Sequence, residues 1–227
     1  MSRMIITIDG PAASGKSTVA RKLAAKLNAD FLDTGAMYRA VTYAAIKAGV
    51  ELTSPYQILE TMNNTQFEFT SSVGGMRVQM DGVDITEEIR NPHITASARF
   101  IAGSSSARQR LVQMQRKFAE GHGRIVAEGR DQGTVAFPHA DIKFYLTADL
   151  DERAKRRLGE LEAKGAGQDI ERVKEAIEKR DESDRKRSDG PLKAADDAIT
   201  VDTTNLTIEQ VVEKLLAFVK EKCSANQ

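Results

Sequence analysis

The 227-residue chain has one cysteine, Cys223, and no tryptophan, and only 5% of its residues are aromatic. A single cysteine excludes an intrachain disulfide and a cysteine-rich metal site, and it favours a reducing compartment. The 33 basic and 33 acidic residues leave no net charge, which disfavours a nucleic-acid-binding protein. No run approaches the roughly 18 apolar residues of a membrane span, and the first residues do not resemble a signal peptide. We therefore expect a cytoplasmic protein with neither a membrane nor a nucleic-acid partner.

Hydrophobic residues at 41% and charged residues at 29% are typical of a globular domain. Short apolar runs alternate with segments of helical periodicity, which predicts a mostly parallel sheet. Where the strand Met4–Ile8 ends, the chain turns acidic at Asp9. The other predicted strands are Phe31–Leu32, Ile125–Ala127, Ile142–Leu146 and Ala198–Val201. The sequence predicts a single α/β domain over residues 1–227.

A different pattern fills the segment from about Gln66 to Ile85, where polar and apolar residues alternate. Gly74-Gly75 and Asp81-Gly82 are turn pairs typical of β-hairpins. This pattern predicts a three-stranded antiparallel insertion, at about residues 63–92.

The sequence Gly10-Pro11-Ala12-Ala13-Ser14-Gly15-Lys16-Ser17 matches the phosphate-binding loop G-x-x-x-x-G-K-S. It follows a predicted strand and opens a predicted helix, as that loop requires. Glycines let backbone N–H groups turn towards phosphate oxygens, and the helix N-terminus adds a favourable dipole. Lys16 is expected to reach the β- and γ-phosphates and Ser17 to ligate Mg²⁺, so the loop predicts a protein that uses ATP or GTP.

Asp33-Thr34-Gly35 resembles the catalytic triplet of aspartic proteases, but such enzymes need two of these carboxylates and the chain has one triplet. Asp33 and Thr34 are also suited to cap the following helix. Alternatively, Asp33 faces the nucleotide near Mg²⁺ at the end of its strand. Both roles are compatible.

Arginines cluster at positions where anionic substrates could meet them. Arg39 lies one turn into a predicted helix, and Arg130 follows a strand end, where ligands of open α/β sheets bind. Arg153, Arg156 and Arg157 share a helix face, as do Arg180, Asp184 and Arg187. Each helical cluster could be a solvated face with ion pairs. In a phosphate-loop protein, the clusters could instead neutralise the phosphoryl groups that move between substrates.

Together these segments resemble bacterial-type cytidylate kinase, a nucleoside monophosphate kinase. The resemblance rests on the phosphate loop and on Asp33-Thr34-Gly35-Ala36-Met37-Tyr38-Arg39, Glu128-Gly129-Arg130-Asp131-Gln132-Gly133-Thr134-Val135 and Arg180-Asp181-Glu182-Ser183-Asp184-Arg185-Lys186-Arg187. It implies a P-loop three-layer α/β/α fold with a five-stranded parallel sheet. It also implies that the insertion binds the monophosphate and that residues 153–169 form a helical lid.

The resemblance further implies transfer of the γ-phosphate of ATP, with Mg²⁺, to CMP or dCMP by a monomer. ATP would be bound by residues 10–18, from Gly10 to Thr18, and Mg²⁺ by Ser17 and Asp33. The acceptor would meet Asp33, Thr34, Tyr38, Arg39, Arg108, Arg130, Asp131, Arg180, Asp184 and Arg187. Among these, Arg39 and Arg130 would hold its phosphate, and Arg108, Asp131 and Arg187 would face the cytosine. The catalytic set would be Lys16, Arg130, Arg153 and Arg157.

One departure from the family concerns a serine near the base, at the position that aligns with Arg99. The nearby serine is Ser97, so either the local alignment slips or this contact is replaced.

Two alternative functions remain on the sequence alone. One is a kinase for another small acceptor, such as UMP, AMP, thymidylate or shikimate. The other is a regulatory phosphate-loop switch or ATPase that needs no small acceptor. A transition-metal site is disfavoured, because His93, His122 and His139 have no ligand-type spacing.

Overall fold

The structure is a computed structural model that describes residues 3–72, 75–163 and 165–225. The strands are β1 (Met4–Asp9), β2 (Asp30–Asp33), β3 (Phe67–Ser72), β4 (Gly75–Met80), β5 (Val83–Asp84), β6 (Arg124–Gly129), β7 (Ile142–Thr147) and β8 (Ile199–Asp202). The helices are α1 (Lys16–Leu27), α2 (Thr34–Lys47), α3 (Pro55–Asn64), α4 (Pro92–Gly103), α5 (Ser105–Glu120), α6 (Leu150–Glu162), α7 (Ile170–Arg185) and α8 (Ile208–Ala225). A 3-10 turn at Glu88–Arg90 and a π-type turn at Gln132–Ala136 complete the elements.

Five strands form one parallel sheet in the order β2-β6-β1-β7-β8, which confirms the predicted sheet. Asp9 at the end of β1 lies opposite Gly129 of β6. Asp33 at the end of β2 lies opposite Glu128. The acidic strand ends therefore meet at one edge of the sheet.

Both faces of the sheet are covered, which explains why its strands are nearly continuous apolar runs. Within β6, Ile125 and Ala127 join a core with α2 and α5, whereas Val126 joins a second core with α1 and α8. Neighbouring residues of a strand point to opposite faces, so a single strand supplies both cores. The result is the predicted three-layer α/β/α architecture.

The antiparallel sheet has the order β3-β4-β5, as its alternating sequence predicts. Met76, Val78 and Met80 of β4 are buried in the same core as α2. The predicted turn at Gly74-Gly75 lies partly outside the described residues. The turn at Asp81-Gly82 takes positive φ angles of 50° and 78°, which suit the second residue's lack of a side chain.

Helix starts follow the capping chemistry of the sequence. The Asp33 carboxylate accepts from the Ala36 N–H at 2.8 Å and begins α2, so the expected capping role of Asp33 is present. Asn91 caps α4, with Pro92 in its first turn. This Asn-Pro pair is a helix-start signal from which α4 could have been predicted.

Helices α6 and α7 pack on one another around a small apolar cluster that includes Ala154, Val173 and Ile177. The expected break at residues 165–167 separates them, and Gly165 has a φ of 71°. Helix α6 ends at Glu162, and α7 begins at Ile170 and ends at Arg185. In the part of the chain that the structure describes, no helix has both the length and the apolarity to cross a bilayer.

Candidate active site

The loop between β1 and α1 has the backbone geometry of an anion cradle. Gly10, Ala13 and Gly15 have positive φ angles of 155°, 57° and 83°. Helix α1 begins at Lys16 without a side-chain cap. Among the described residues, the N–H groups of residues 13–17 have no hydrogen-bond acceptor. Unpaired N–H groups at a helix N-terminus are suited to bind phosphate oxygens.

Lys16 is buried, with 6% of its surface exposed, and its Nζ donates to the Pro11 carbonyl oxygen at 3.0 Å. Burial, with a smaller contribution from the charge of Arg130, lowers the pKa of Lys16 to about 7. Negative phosphate oxygens beside this amine would favour its charged form. The lysine is thus placed where an anionic ligand would relieve an electrostatic cost.

Glu128 interacts with both residues predicted to hold Mg²⁺, with Ser17 through a hydrogen bond and with Asp33 through its charge. The Ser17 hydroxyl donates to Glu128 Oε1 at 2.7 Å. Burial and the negative charge of Asp33 raise the pKa of Glu128. Hydroxyl and carboxylate oxygens are the ligand type that Mg²⁺ prefers, so the donor set fits this ion. The described residues hold no cluster of three or more His, Cys, Asp or Glu that could ligate a metal by themselves.

Thr34 and Arg39 extend this edge along α2. The Thr34 hydroxyl donates to the Glu128 carbonyl oxygen at 2.7 Å. Arg39 Nη2 donates to Asp33 Oδ2 at 3.2 Å, and its buried Nε has no partner among the described residues. Arg39 therefore keeps hydrogen-bonding capacity at the strand ends.

Arg130, Arg180, Asp184 and Arg187 form a charged cluster between the end of β6 and α7. Arg130 Nε donates to Asp184 Oδ2 at 3.0 Å, and Arg187 donates to Asp184 Oδ1. Burial opposes ionisation of Asp184, but the charges of Arg130 and Arg187 hold its pKa below its usual value. The charge of Arg130, followed by burial, lowers the pKa of Arg180 to about 10. Cations outnumber anions in this cluster, so it is suited to bind a further anion.

Tyr38, Arg108 and Asp131 form a second, buried group. Arg108 donates from Nη2 to Asp131 Oδ2 and from Nη1 to the Tyr38 hydroxyl at 3.1 Å. Burial raises the pKa of Tyr38 to about 12, so this hydroxyl stays protonated. The loop after α7 packs directly on the pair, because a Cβ at Gly190 would collide with Arg108 and Asp131.

The three arginines of α6 occupy different environments. Arg153 is buried and pairs with Asp181 of α7. Arg156 donates to the Thr203 carbonyl oxygen at 2.6 Å. Arg157 is 41% exposed and pairs with Glu160. The charge of Arg157 contributes to the lowered pKa of Arg180.

The family model for cytidylate kinase matches residues 6–221. The chain belongs to the cytidylate kinase family. Cytidylate kinase of Anoxybacillus flavithermus is 42% identical over 220 residues, which cover 97% of each chain. That of Geobacillus sp. (strain WCH70) is 43% identical over 217 residues, which cover 96% of each. The resemblance inferred from the sequence is confirmed, and the chain is an enzyme of the nucleoside monophosphate kinase class.

Among solved structures, an uncharacterized protein from Eubacterium ventriosum has a similar fold. It is 14% identical with a TM-score of 0.50, and the match covers 96% of this chain and 99% of that one. This likeness supports the fold alone.

Arg99, where the family usually has a serine, and the nearby Ser97 lie on different faces of α4. Ser97 of α4 is buried, whereas Arg99 is exposed and its guanidinium carbon lies 4.9 Å from the Phe100 ring centroid. Ser97 therefore lies on the buried face of α4 and Arg99 does not.

Three carboxylates of this site make contacts that no sequence motif predicted. Glu128 bonds Ser17, Asp9 accepts from the N–H groups of Gln132 and Gly133, and Asp181 accepts from the N–H of Ala12. Glu128 and Asp181 stand inside the motifs that carry the resemblance, and Asp9 ends a predicted strand. The three residues lie in segments that the sequence marks as important. Their partners could not be predicted locally, because they are 111 to 169 residues away in sequence.

Proposed function

We propose that this protein transfers the γ-phosphate of ATP to CMP or dCMP, giving ADP and CDP or dCDP. The observation that supports this most strongly is a group of mutually repelling cations at the carboxyl edge of the sheet. Arg130 and Arg180 both lower the pKa of Lys16, and Arg39 and Arg157 contribute to the lowered pKa of Arg180. Five cations that interact at one edge of the sheet suit the phosphates of two nucleotides.

The acceptor is proposed to lie between α2, the end of β6 and α7. Arg39 and Arg130 would hold its phosphate, and Arg180 and Asp184 would contact its ribose. Arg108, Asp131 and Arg187 would face the base, with Tyr38 packed beside it. Cytosine offers an amino donor and two acceptors, which match a carboxylate and a guanidinium.

ATP is proposed to bind through the N–H groups and Lys16 of the loop, with Thr18 in the first turn of α1 beside it. Mg²⁺ would be held by Ser17 and by Asp33 or Glu128, directly or through water. When bound, it would neutralise phosphate charge.

The reaction is an in-line displacement in which an oxygen of the acceptor phosphate bonds to the γ-phosphorus as the bond to ADP breaks. That oxygen is already anionic, so a strong general base is not required. Lys16, Arg130 and Arg157 would stabilise the charge on the transferring group. Positioning and electrostatics supply most of the catalysis.

The deciding experiment measures ADP formation from MgATP with one acceptor at a time: CMP, dCMP, UMP, AMP, GMP, dTMP, shikimate or none. We expect fast turnover confined to CMP and dCMP. Turnover with another acceptor would support phosphoryl transfer but contradict the residues assigned to base recognition. Hydrolysis that is indifferent to every acceptor would instead support a regulatory ATPase.

A monomeric, cytoplasmic protein with no nucleic-acid or membrane partner stays a prediction from the sequence. Sedimentation at several protein concentrations would test the monomer directly.

A further inference from the structure

The peptide groups around Ala12, in the middle of the phosphate loop, are held by two side chains from outside the loop. The Ala12 N–H donates to Asp181 Oδ1 of α7 at 2.9 Å. The Ala12 carbonyl oxygen accepts from Arg153 Nη1 of α6 at 3.1 Å. Arg153 Nη1 also donates to Asp181 Oδ2, so the two side chains and Ala12 form a closed set of bonds.

The three residues of this set are buried. Asp181 is 1% exposed, Arg153 6% and Ala12 7%. Ala12 packs in the apolar cluster of Ala154 and Ile177, between the two helices. A buried ion pair gives little net stability by itself, since desolvation offsets most of its attraction. Instead, the pair fixes the orientation of the backbone at Ala12.

The orientation of Ala12 matters because the cradle begins at the next residue. Since the Ala12 N–H is bonded to Asp181, it does not face the cradle. Ala13 then turns with a φ of 57°, a conformation that costs energy for a residue with a side chain. That turn sets the direction of the following N–H groups, those of residues 13–17, which have no acceptor among the described residues. An external clamp on Ala12 would stabilise this strained arrangement before ATP arrives.

We propose that Asp181 is a positioning residue for ATP: with Arg153, it fixes Ala12 so that the following N–H groups face the donor phosphates. The inference rests on the proposed binding of ATP by this loop. It also assigns Arg153 a place in the clamp, since Arg153 would have to leave both Asp181 and Ala12 to reach a transferring phosphate. The moving part of the lid would then lie between Arg153 and Asp181.

The experiment compares Asp181→Asn with Glu182→Gln. The asparagine oxygen can still accept from Ala12, but its amide group presents donors to Arg153, which breaks the clamp on one side. Glu182 is the next residue of α7 and pairs at the surface with Lys186, so it is a matched loss of one carboxylate. We expect the Asp181 variant to raise the KM for MgATP about 10- to 100-fold, the range for loss of a charge-assisted hydrogen bond. The KM for CMP should change less than about twofold, and Glu182→Gln should change neither.

A purely structural role gives a different result. If Asp181→Asn lowers the melting temperature and the active fraction but leaves both KM values unchanged, the proposal is overturned. Should this variant not fold, Arg153→Lys replaces it, because lysine keeps the charge but loses the guanidinium fork; the same selective rise in the KM for MgATP is expected. Failure of that rise would also overturn the proposal.

Titration of each variant with MgATP in the absence of acceptor separates this inference from the proposed function. Weaker MgATP binding by Asp181→Asn supports the clamp even if the wild-type protein does not phosphorylate CMP. Normal MgATP binding by the variant contradicts the clamp even if CMP is the substrate. Amide exchange in the wild-type protein is a further check, since rapid exchange of the Ala12 N–H would contradict a buried bond to Asp181.

Discussion

Lys16 is a residue whose burial and function oppose one another. Burial lowers its pKa to about 7, so at pH 8 much of the amine is neutral in the free protein. The phosphates of ATP favour the charged form. We therefore predict that ATP binding takes up a proton at pH 8 and takes up less at pH 6. Calorimetry in buffers of different ionisation enthalpy measures this uptake.

Lys16→Met provides the control, since methionine cannot take up the proton. An uptake that is the same in wild type and variant would assign the proton to another group. An uptake that is absent from wild type at pH 8 would contradict the lowered pKa.

Removal of the Lys16 charge should also reduce turnover. Lys16→Ala is predicted to lower kcat by about three orders of magnitude, because a preorganised donor to the transferring phosphate is lost. The variant should stay folded, since a buried amine with a lowered pKa does not stabilise the free protein at neutral pH. Steady-state kinetics with CMP, together with circular dichroism, check both parts. Near-normal turnover in a folded variant would contradict the role of Lys16.

Gly10 is fixed by a close approach of backbone to backbone. Its φ is 155°, and a Cβ there would collide with the Leu146 carbonyl oxygen. Because a carbonyl in β7 cannot move aside, Gly10→Ala should displace the loop, weaken ATP binding and destabilise the protein by about 1–3 kcal/mol. Gly159→Ala is the control: Gly159 is an exposed helical glycine with no atom within 4 Å of an added Cβ. It should stabilise the protein by about 0.5–1 kcal/mol.

Individual site residues were predictable where a local motif specifies them. Lys16 and Ser17 follow from the loop pattern, and Asp33 from its place after a strand. Glu128, Asp9 and Asp181 act through partners that are distant in sequence, so no local spacing assigns their contacts. The strand register, which places Asp33 opposite Glu128, supplies the missing information.

Secondary-structure elements also differ in how far the local sequence predicts them. Strands β1 and β6 are continuous apolar runs and were predicted to within two residues at each end. The π-type turn at Gln132–Ala136 follows no local rule, since Gly133, Thr134 and Val135 are poor helix formers. It depends on long-range bonds: Asp9 accepts from its first two N–H groups, and Arg116 donates to the Val135 and Ala136 carbonyl oxygens at 2.9 and 2.8 Å.

Motion of the lid is a prediction at the scale of helices. If residues 153–169 close over both nucleotides and exclude water, amides in residues 154–163 and 165–169 should exchange more slowly in the ternary complex. Hydrogen exchange with a non-hydrolysable ATP analogue and CMP measures this change. Helix α8, which covers the opposite part of the sheet with α1, is the internal control and should not respond. No added protection in the lid would contradict closure.

At the scale of the whole molecule, the site depends on the strand order. β1, β6 and β2 are neighbours, so Asp9, Glu128 and Asp33 reach one edge although they lie far apart in the chain. The sequence predicted a parallel sheet and acidic strand ends but not which strands are adjacent. Adjacency depends on helix packing on both faces, and short motifs carry little of that information.

Asp9 connects this arrangement to global stability. Its carboxylate accepts from the N–H groups of Gln132 at 2.9 Å and Gly133 at 2.8 Å. Burial outweighs these bonds and raises its pKa from 3.8 to about 7. A raised pKa in the folded state stabilises the protein fully below the unfolded value of about 4, and this stabilisation is lost as the pH rises through about 7.

We therefore predict that the free energy of unfolding falls between pH 4.5 and pH 8 by a few kcal/mol more in the wild type than in Asp9→Asn. Urea unfolding at several pH values measures the difference, and Glu60→Gln, which removes an exposed carboxylate of α3, should follow the wild type. Lys16 is present in all three proteins and contributes an opposite slope, with stability rising above about pH 7. Because its charge also lowers the pKa of Asp9, the difference between wild type and Asp9→Asn reports Asp9 together with this interaction. Parallel curves for wild type and Asp9→Asn would show that Asp9 is already ionised when the protein folds, and that its two N–H bonds outweigh its burial.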